Sequence, residues 1–142
     1  MADPVVLDTS AILTLTGNEL GADEVQKYLA EAIAGRIQLH GSFATLTEVE
    51  YITAQEEGAE AARQRLADLM TMPVQWLHSD PALCHEAARL KAAHKISLAD
   101  AFVAATARRF DATLVHKDPE FHPLAAELKQ HMLPPKSGTF AA

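Results

Sequence analysis

Cysteine is nearly absent. The one thiol, Cys84, has nothing to pair with inside the chain, which excludes an internal disulfide and any Cys-rich zinc site. That usage fits a reducing cytoplasm, with Cys84 expected as a small packing residue on a helix. Long apolar runs are missing as well. No stretch approaches the ~18 uncharged residues of a membrane helix, and no basic segment leads into an apolar one near the N-terminus, so neither a membrane span nor a secretory signal is expected. The chain lacks the glycine patterns G-x-G-x-x-G and G-x-x-x-x-G-K, which argues against a dinucleotide enzyme or a P-loop NTPase. Its seven histidines include no His-x-x-x-His pair. A basic excess is lacking too: 12 Lys and Arg face 19 Asp and Glu, a net charge of −7. A protein that held nucleic acid by its own cations would be basic. An acidic one works on phosphates only if divalent ions supply the positive charge, or else it meets a basic partner.

What is present suits a globular α/β chain. With 142 residues, 49% of them apolar and 22% charged, one domain is expected over residues 1–133, followed by a flexible tail over 134–142 marked by Pro134-Pro135 and Gly138. Four short apolar runs read as strands: Pro4–Leu7, Ile37–His40, Pro73–Leu77 and Ala112–Val115. Helical stretches separate them. One begins at Ala11, capped by Thr9 or Ser10; others cover Asp23–Ala34, a stretch that starts near Ser42–Thr45 and runs to Glu57, and Ala59–Met70. Two more open at Asp80-Pro81, carrying His85 and His94, and at Ser97-Leu98-Ala99-Asp100, running to Phe110. Strands alternating with Ala-rich helices imply a central parallel sheet of four to five strands flanked by helices on both faces. In such sheets, sites lie beyond the carboxyl ends of the strands.

Acids gather at that edge. Asp8 follows the first strand, and Asp118 and Glu120 follow the fourth. Asp100 opens a helix that is apolar nearly all round, and Glu48 closes a Thr45-x-x-Glu cap if its helix begins near Thr45, or sits inside that helix, on a face with Phe43, Thr45 and Ile52, if it begins at Ser42. Each has a local structural reading: Asp8 as a cap, Asp100 and Glu48 as capping-box acids, Asp118-Pro119 as a turn. Together they put acids from four separated segments at one edge. Two like charges ~5 Å apart at an effective dielectric of ~20 repel by roughly 3 kcal/mol, so some of these acids are protonated or a hard cation belongs between them. An all-oxygen donor set suits Mg²⁺ or Mn²⁺. Glu50 lies 200° round a helix from Glu48, so both cannot face one site. Trp76 is expected in the core. Arg108-Arg109 reads as a pair of cations at a helix C-terminus or as an RNA contact.

The stretches Val5-Val6-Leu7-Asp8-Thr9-Ser10-Ala11, Thr47-Glu48-Val49-Glu50-Tyr51, Ser97-Leu98-Ala99-Asp100-Ala101-Phe102-Val103-Ala104-Ala105 and Val115-His116-Lys117-Asp118-Pro119-Glu120-Phe121 resemble the PIN-domain family in order and spacing, and the chain looks like a VapC-type toxin. The resemblance implies a PIN-like three-layer sandwich and a Mg²⁺- or Mn²⁺-dependent endoribonuclease. Its catalytic acids would be Asp8, Glu48, Asp100 and Asp118. Asp8, Asp100 and Asp118 would bind the metal, and Glu48 would be a ligand or orient the attacking water. Thr9 or Ser10 would orient a carboxylate or a water at the metal, with Glu120 auxiliary. It further implies an RNA substrate, a cognate antitoxin, a homodimer and a cytoplasmic location. His116-Lys117 departs from the small or hydroxyl residue more usual before the last acid. Lys117 there would touch RNA phosphate or pair with a site acid, and His116 and His122 would be substrate contacts. A non-catalytic PIN-like partner-binding module is the alternative; a receiver-like signalling domain is disfavoured because the other strands end without an acid.

Overall fold

The computed structural model describes residues 2–135. The chain runs β1 (Asp3–Leu7), α1 (Thr9–Thr16), α2 (Ala22–Ile33), β2 (Ile37–Ser42), α3 (Phe43–Glu57), α4 (Ala59–Met70), β3 (Val74–Leu77), α5 (Pro81–Ala93), α6 (Leu98–Arg109), β4 (Thr113–His116), a 3₁₀ turn over Pro119–Leu124, and β5 (Lys129–Met132). The sheet order is β3-β2-β1-β4-β5 and every pairing is parallel. Parallel strands leave the chain no hairpin, so each connection crosses back over a face of the sheet.

Strand alternation builds a core on each side. Val6 and Leu114 pack on one face with Leu83, Ala87 and Leu90 of α5, with the alanines of α6, and with Phe121 and Leu124. Val5, Leu7, Leu39 and Val115 pack on the other face with Ala11 and Ile12 of α1, Val25 of α2, Val49 of α3 and Leu69 of α4. The three-layer arrangement expected from the sequence is therefore present. Ala101, Ala104, Ala105 and Ala107 are fully buried; their small side chains let α6 lie close against the strands, and its first turn ends at the carboxyl edge of the sheet.

Several expectations are corrected. α1 begins at Thr9 rather than Ala11, because Asp8 itself is the cap and accepts from the Ser10 amide. Cys84 is exposed: the buried stripe of α5 is Leu83, Ala87 and Leu90, and Cys84 lies one residue round from it. Trp76 is only half-buried, since β3 is an edge strand. His94 caps α5 instead of lying within it, and bonds Glu127. β5 was not among the strand candidates, because Lys129-Gln130-His131-Met132 shows no apolar alternation. Of the expected tail, residues 136–142 lie outside the described residues.

Gly41 in β2 is opposite Trp76, whose ring occupies the space a side chain would need. Gly41→Ala is therefore expected to destabilise the fold by about 1–3 kcal/mol through overpacking, read as a lower urea midpoint with an unchanged m-value. Wild-type stability in this variant would contradict the packing described.

Candidate metal centre

The acids are delivered by backbone elements that would form without them. β1 ends at Leu7 because the next carboxylate caps α1: Asp8 Oδ2 accepts from the Ser10 amide at 3.0 Å and the Ser10 hydroxyl at 2.5 Å. The same hydroxyl accepts from the Lys117 amide at 2.8 Å, tying the end of β4 to the start of α1. Asp8 is 2% exposed, and its Oδ1 is buried with no hydrogen-bond partner among the described residues. The capping reading of Asp8 and its reading as a site acid thus hold together, one oxygen serving each.

Asp100 stands in the first turn of α6, where the Ser97 hydroxyl accepts from its amide at 3.0 Å. Its carboxylate does not complete a capping box: among the described residues it accepts no hydrogen bond, although the residue is 6% exposed. Carboxylate oxygens of Asp100, Asp118 and Glu120 lie within 4.8 Å of one another. Asp118 accepts from the Glu120 amide at 2.9 Å, and that turn holds Glu120 beside it.

Glu48 approaches from a fourth segment. α3 starts at Phe43 with Ser42 as its cap, so Glu48 sits inside the helix rather than at its start. The Thr9 hydroxyl donates to Glu48 Oε1 at 2.6 Å and lies 3.0 Å from the buried Thr45 hydroxyl. Having one proton, given to Glu48, Thr9 receives the Thr45 proton, which makes Thr45 a holder of Glu48 at one remove. Glu50 is exposed and turned away.

Electrostatics set this cluster apart. Burial pushes the Asp8 carboxyl up to about 6 against the two Ser10 hydrogen bonds, with Glu48 and Asp118 adding to the rise. Asp100 is pushed up to about 8, by burial first and then by the charges of Asp8, Asp118, Glu120 and Glu48. Among the described residues no Lys or Arg forms an ion pair with any of the five acids. At the far end of α6 from Asp100, Arg108 pairs with Glu86 and Glu127 and Arg109 with Asp80. The expectation that Lys117 pairs with a site acid is not met. Its ammonium donates to the Leu20 carbonyl at 2.6 Å and sits 3.5 Å from Glu19.

His116 is placed differently from a substrate contact. Its ring is fully buried against Phe121, with both nitrogens engaged by Gln130 and the Asp118 amide. His122 is exposed on the 3₁₀ turn. Sequence reasoning missed Thr45 and Gln130. Thr45 was visible only as the first residue of Thr-x-x-Glu, and Gln130 carried no signal, standing in a polar segment with no recognisable period.

The site residues are thus oxygen donors from four segments, and among the described residues one has an orphaned buried oxygen and none has a protein counter-cation. This donor set fits a hard divalent cation. The family model for the PIN domain matches residues 5–127. The chain belongs to the PIN-domain family. Its fold is shared by solved structures of low sequence identity. A chain of VapBC2 from Rickettsia felis, bound to a DNA fragment from its promoter, is 17% identical with a TM-score of 0.75, covering 92% of this chain and 99% of that one. A chain of the DNA-bound VapBC from Salmonella typhimurium is 16% identical with a TM-score of 0.72, covering 93% and 98%. VapC20 from Mycobacterium tuberculosis, a sarcin-ricin loop cleaving toxin, is 18% identical with a TM-score of 0.67, covering 87% and 95%. No curated protein matches this PIN domain in sequence.

The raised carboxyls make the stability of the metal-free PIN domain depend on pH. A carboxyl whose folded value lies above its unfolded 3.8 stabilises the fold fully below that value, and the contribution is lost as pH rises through the folded value. His40 and His116, both lowered by burial, titrate below the ordinary histidine value of 6.5. Between pH 7 and 9 Asp100 therefore dominates. Thermal melts in EDTA should lose about 1 kcal/mol of stability across that window, and Asp100→Asn should flatten the slope. A wild-type profile that is flat or rises there would contradict the assignment.

Proposed function

We propose that this PIN domain is the toxin of a toxin–antitoxin pair and acts as a Mg²⁺- or Mn²⁺-dependent endoribonuclease. The observation that carries the reading is the convergence of Asp8, Glu48, Asp100, Asp118 and Glu120 at one sheet edge with no Lys or Arg ion pair to them among the described residues. A scaffold has no reason to keep such a cluster. Asp8, Asp100 and Asp118 hold the ion, and Asp8 Oδ1 is the oxygen left free for it. Bound there, the divalent ion supplies the positive charge that activates water and stabilises the leaving oxygen of a phosphodiester. Glu48, held by Thr9, orients the attacking water. The water oxygen bonds to phosphorus, the bond to the 3′-oxygen breaks, and the products are a 5′-phosphate and a 3′-hydroxyl. Glu120 and Ser10 support the site from either side, Glu120 through its charge and Ser10 through its bond to Asp8.

RNA as substrate is supported by the solved structure described as a sarcin-ricin loop cleaving toxin, and an antitoxin partner by the VapBC complexes of the same fold. A net charge of −7 suits a basic antitoxin segment. The reading also takes the active form as a homodimer in the cytoplasm; among the described residues no helix is long and apolar enough to cross a membrane.

Purified protein with Mn²⁺ should cut a panel of structured RNAs. EDTA should stop the reaction, and Asp100→Asn should reduce it at least ~100-fold. Cutting that survives both treatments would show a contaminating nuclease or a different site. Failure of folded, metal-loaded wild type to cut any RNA while binding a partner protein would favour the non-catalytic module.

A further inference from the structure

The network beneath the Asp118 loop has no free choice of donor and acceptor. The Asp118 backbone amide points at His116 Nδ1 at 3.1 Å, and an amide N–H only donates, so Nδ1 is unprotonated. At the other end, Gln130 Nε2 lies 2.9 Å from the Phe121 carbonyl, which only accepts; the Gln130 NH₂ therefore faces Phe121 and its Oε1 faces His116. His116 Nε2, 2.8 Å from that oxygen, must then carry the proton. Two independent carbonyl and amide constraints select one histidine tautomer. The ring is sealed against Phe121, and the His116 carbonyl accepts from the Leu133 amide at 2.7 Å.

We infer that Gln130 and His116 are positioning residues for the acid loop: β5, through the Gln130 side chain, fixes the His116 tautomer that holds the Asp118 backbone and so aims its carboxylate. The inference rests on the proposed metal site. Gln130 bridges both ends of the 116–121 loop, accepting from its first residue and donating to its last. The Asp118 amide is held by His116 and its Oδ1 by the Glu120 amide, so backbone and side chain are restrained separately. Gln130 lies beyond residues 5–127 matched by the family model and stands on an edge strand with no motif of its own. With a buried ring at position 116, the amide from β5 is what holds the tautomer.

Nitrogen-15 NMR of the His116 imidazole, with Mn²⁺ affinity measured in parallel on full-length protein, tests the inference. Wild type should show Nε2 protonated and Nδ1 bare. Gln130→Met should mix the tautomers and weaken Mn²⁺ binding about tenfold, while kcat at saturating metal returns close to wild type. Gln130→Glu keeps an acceptor facing His116 but loses the donor to the Phe121 carbonyl, so it should keep Nε2 protonated while restoring Mn²⁺ affinity only in part, a split between tautomer and affinity that a merely structural role would not produce. A His116 ring protonated on Nδ1, or a folded Gln130→Met with wild-type Mn²⁺ affinity, would overturn the inference alone. A wild type that takes up no Mn²⁺ would overturn the reading of the site and this inference with it.

Discussion

Carboxylates brought together where water is scarce, and where among the described residues no protein cation pairs with them, are the constraint to which this structure answers. At the separations found, each like-charge pair costs roughly 3 kcal/mol at an effective dielectric of ~20. The fold meets that cost in three ways. Asp100 and Asp8 keep protons well above the usual carboxylate range. Asp8 Oδ2 is bound by Ser10, and Asp118 Oδ1 by the Glu120 amide. Asp118 and Glu120 stay open enough to solvent to be screened. None of these removes the repulsion, and a divalent cation would.

The scaffold around the cluster is correspondingly rigid. Helix α6 carries Asp100 on a row of buried alanines, so the acid is located by backbone packing rather than by its own side-chain bonds. β1 and β4 pair directly, which sets Asp8 and Asp118 beside each other before any side chain is considered, and the Ser10 hydroxyl stitches the two strand ends. At the other end of α6 from Asp100, cations join a separate ion-pair network on α5 and α6. There Arg89 and Arg108 hold Glu86 well below the usual carboxylate range, at about 2.

The parts of this arrangement that were legible in the sequence are those governed by period and punctuation. Short apolar runs marked four of the five strands, Pro81 after Asp80 marked a helix start, and helix angle showed that Glu48 and Glu50 cannot share one site, with the resemblance favouring Glu48. The acids after β1 and β4 followed from topology, since parallel sheets expose those residues at one edge. What escaped was set by tertiary context. β5 is polar because it is an edge strand completed by pairing with β4, and its register to His116 cannot be read from four polar letters. Asp8 proved to be both cap and site acid, a combination invisible while the two roles are weighed as rivals. His116 was taken for a substrate contact from its place beside Asp118. Burial against Phe121 turns it into an internal support instead.

The most direct measurement is calorimetric titration of Mn²⁺ into the metal-free protein at pH 7, in two buffers of different ionisation enthalpy. Asp100, with its carboxyl near 8, is mostly protonated at that pH, and a cation bound between the acids must displace the proton. The account predicts saturable binding with release of about one proton per protein, lost in Asp100→Asn. Binding that releases no proton, or that persists unchanged in Asp100→Asn, would contradict it.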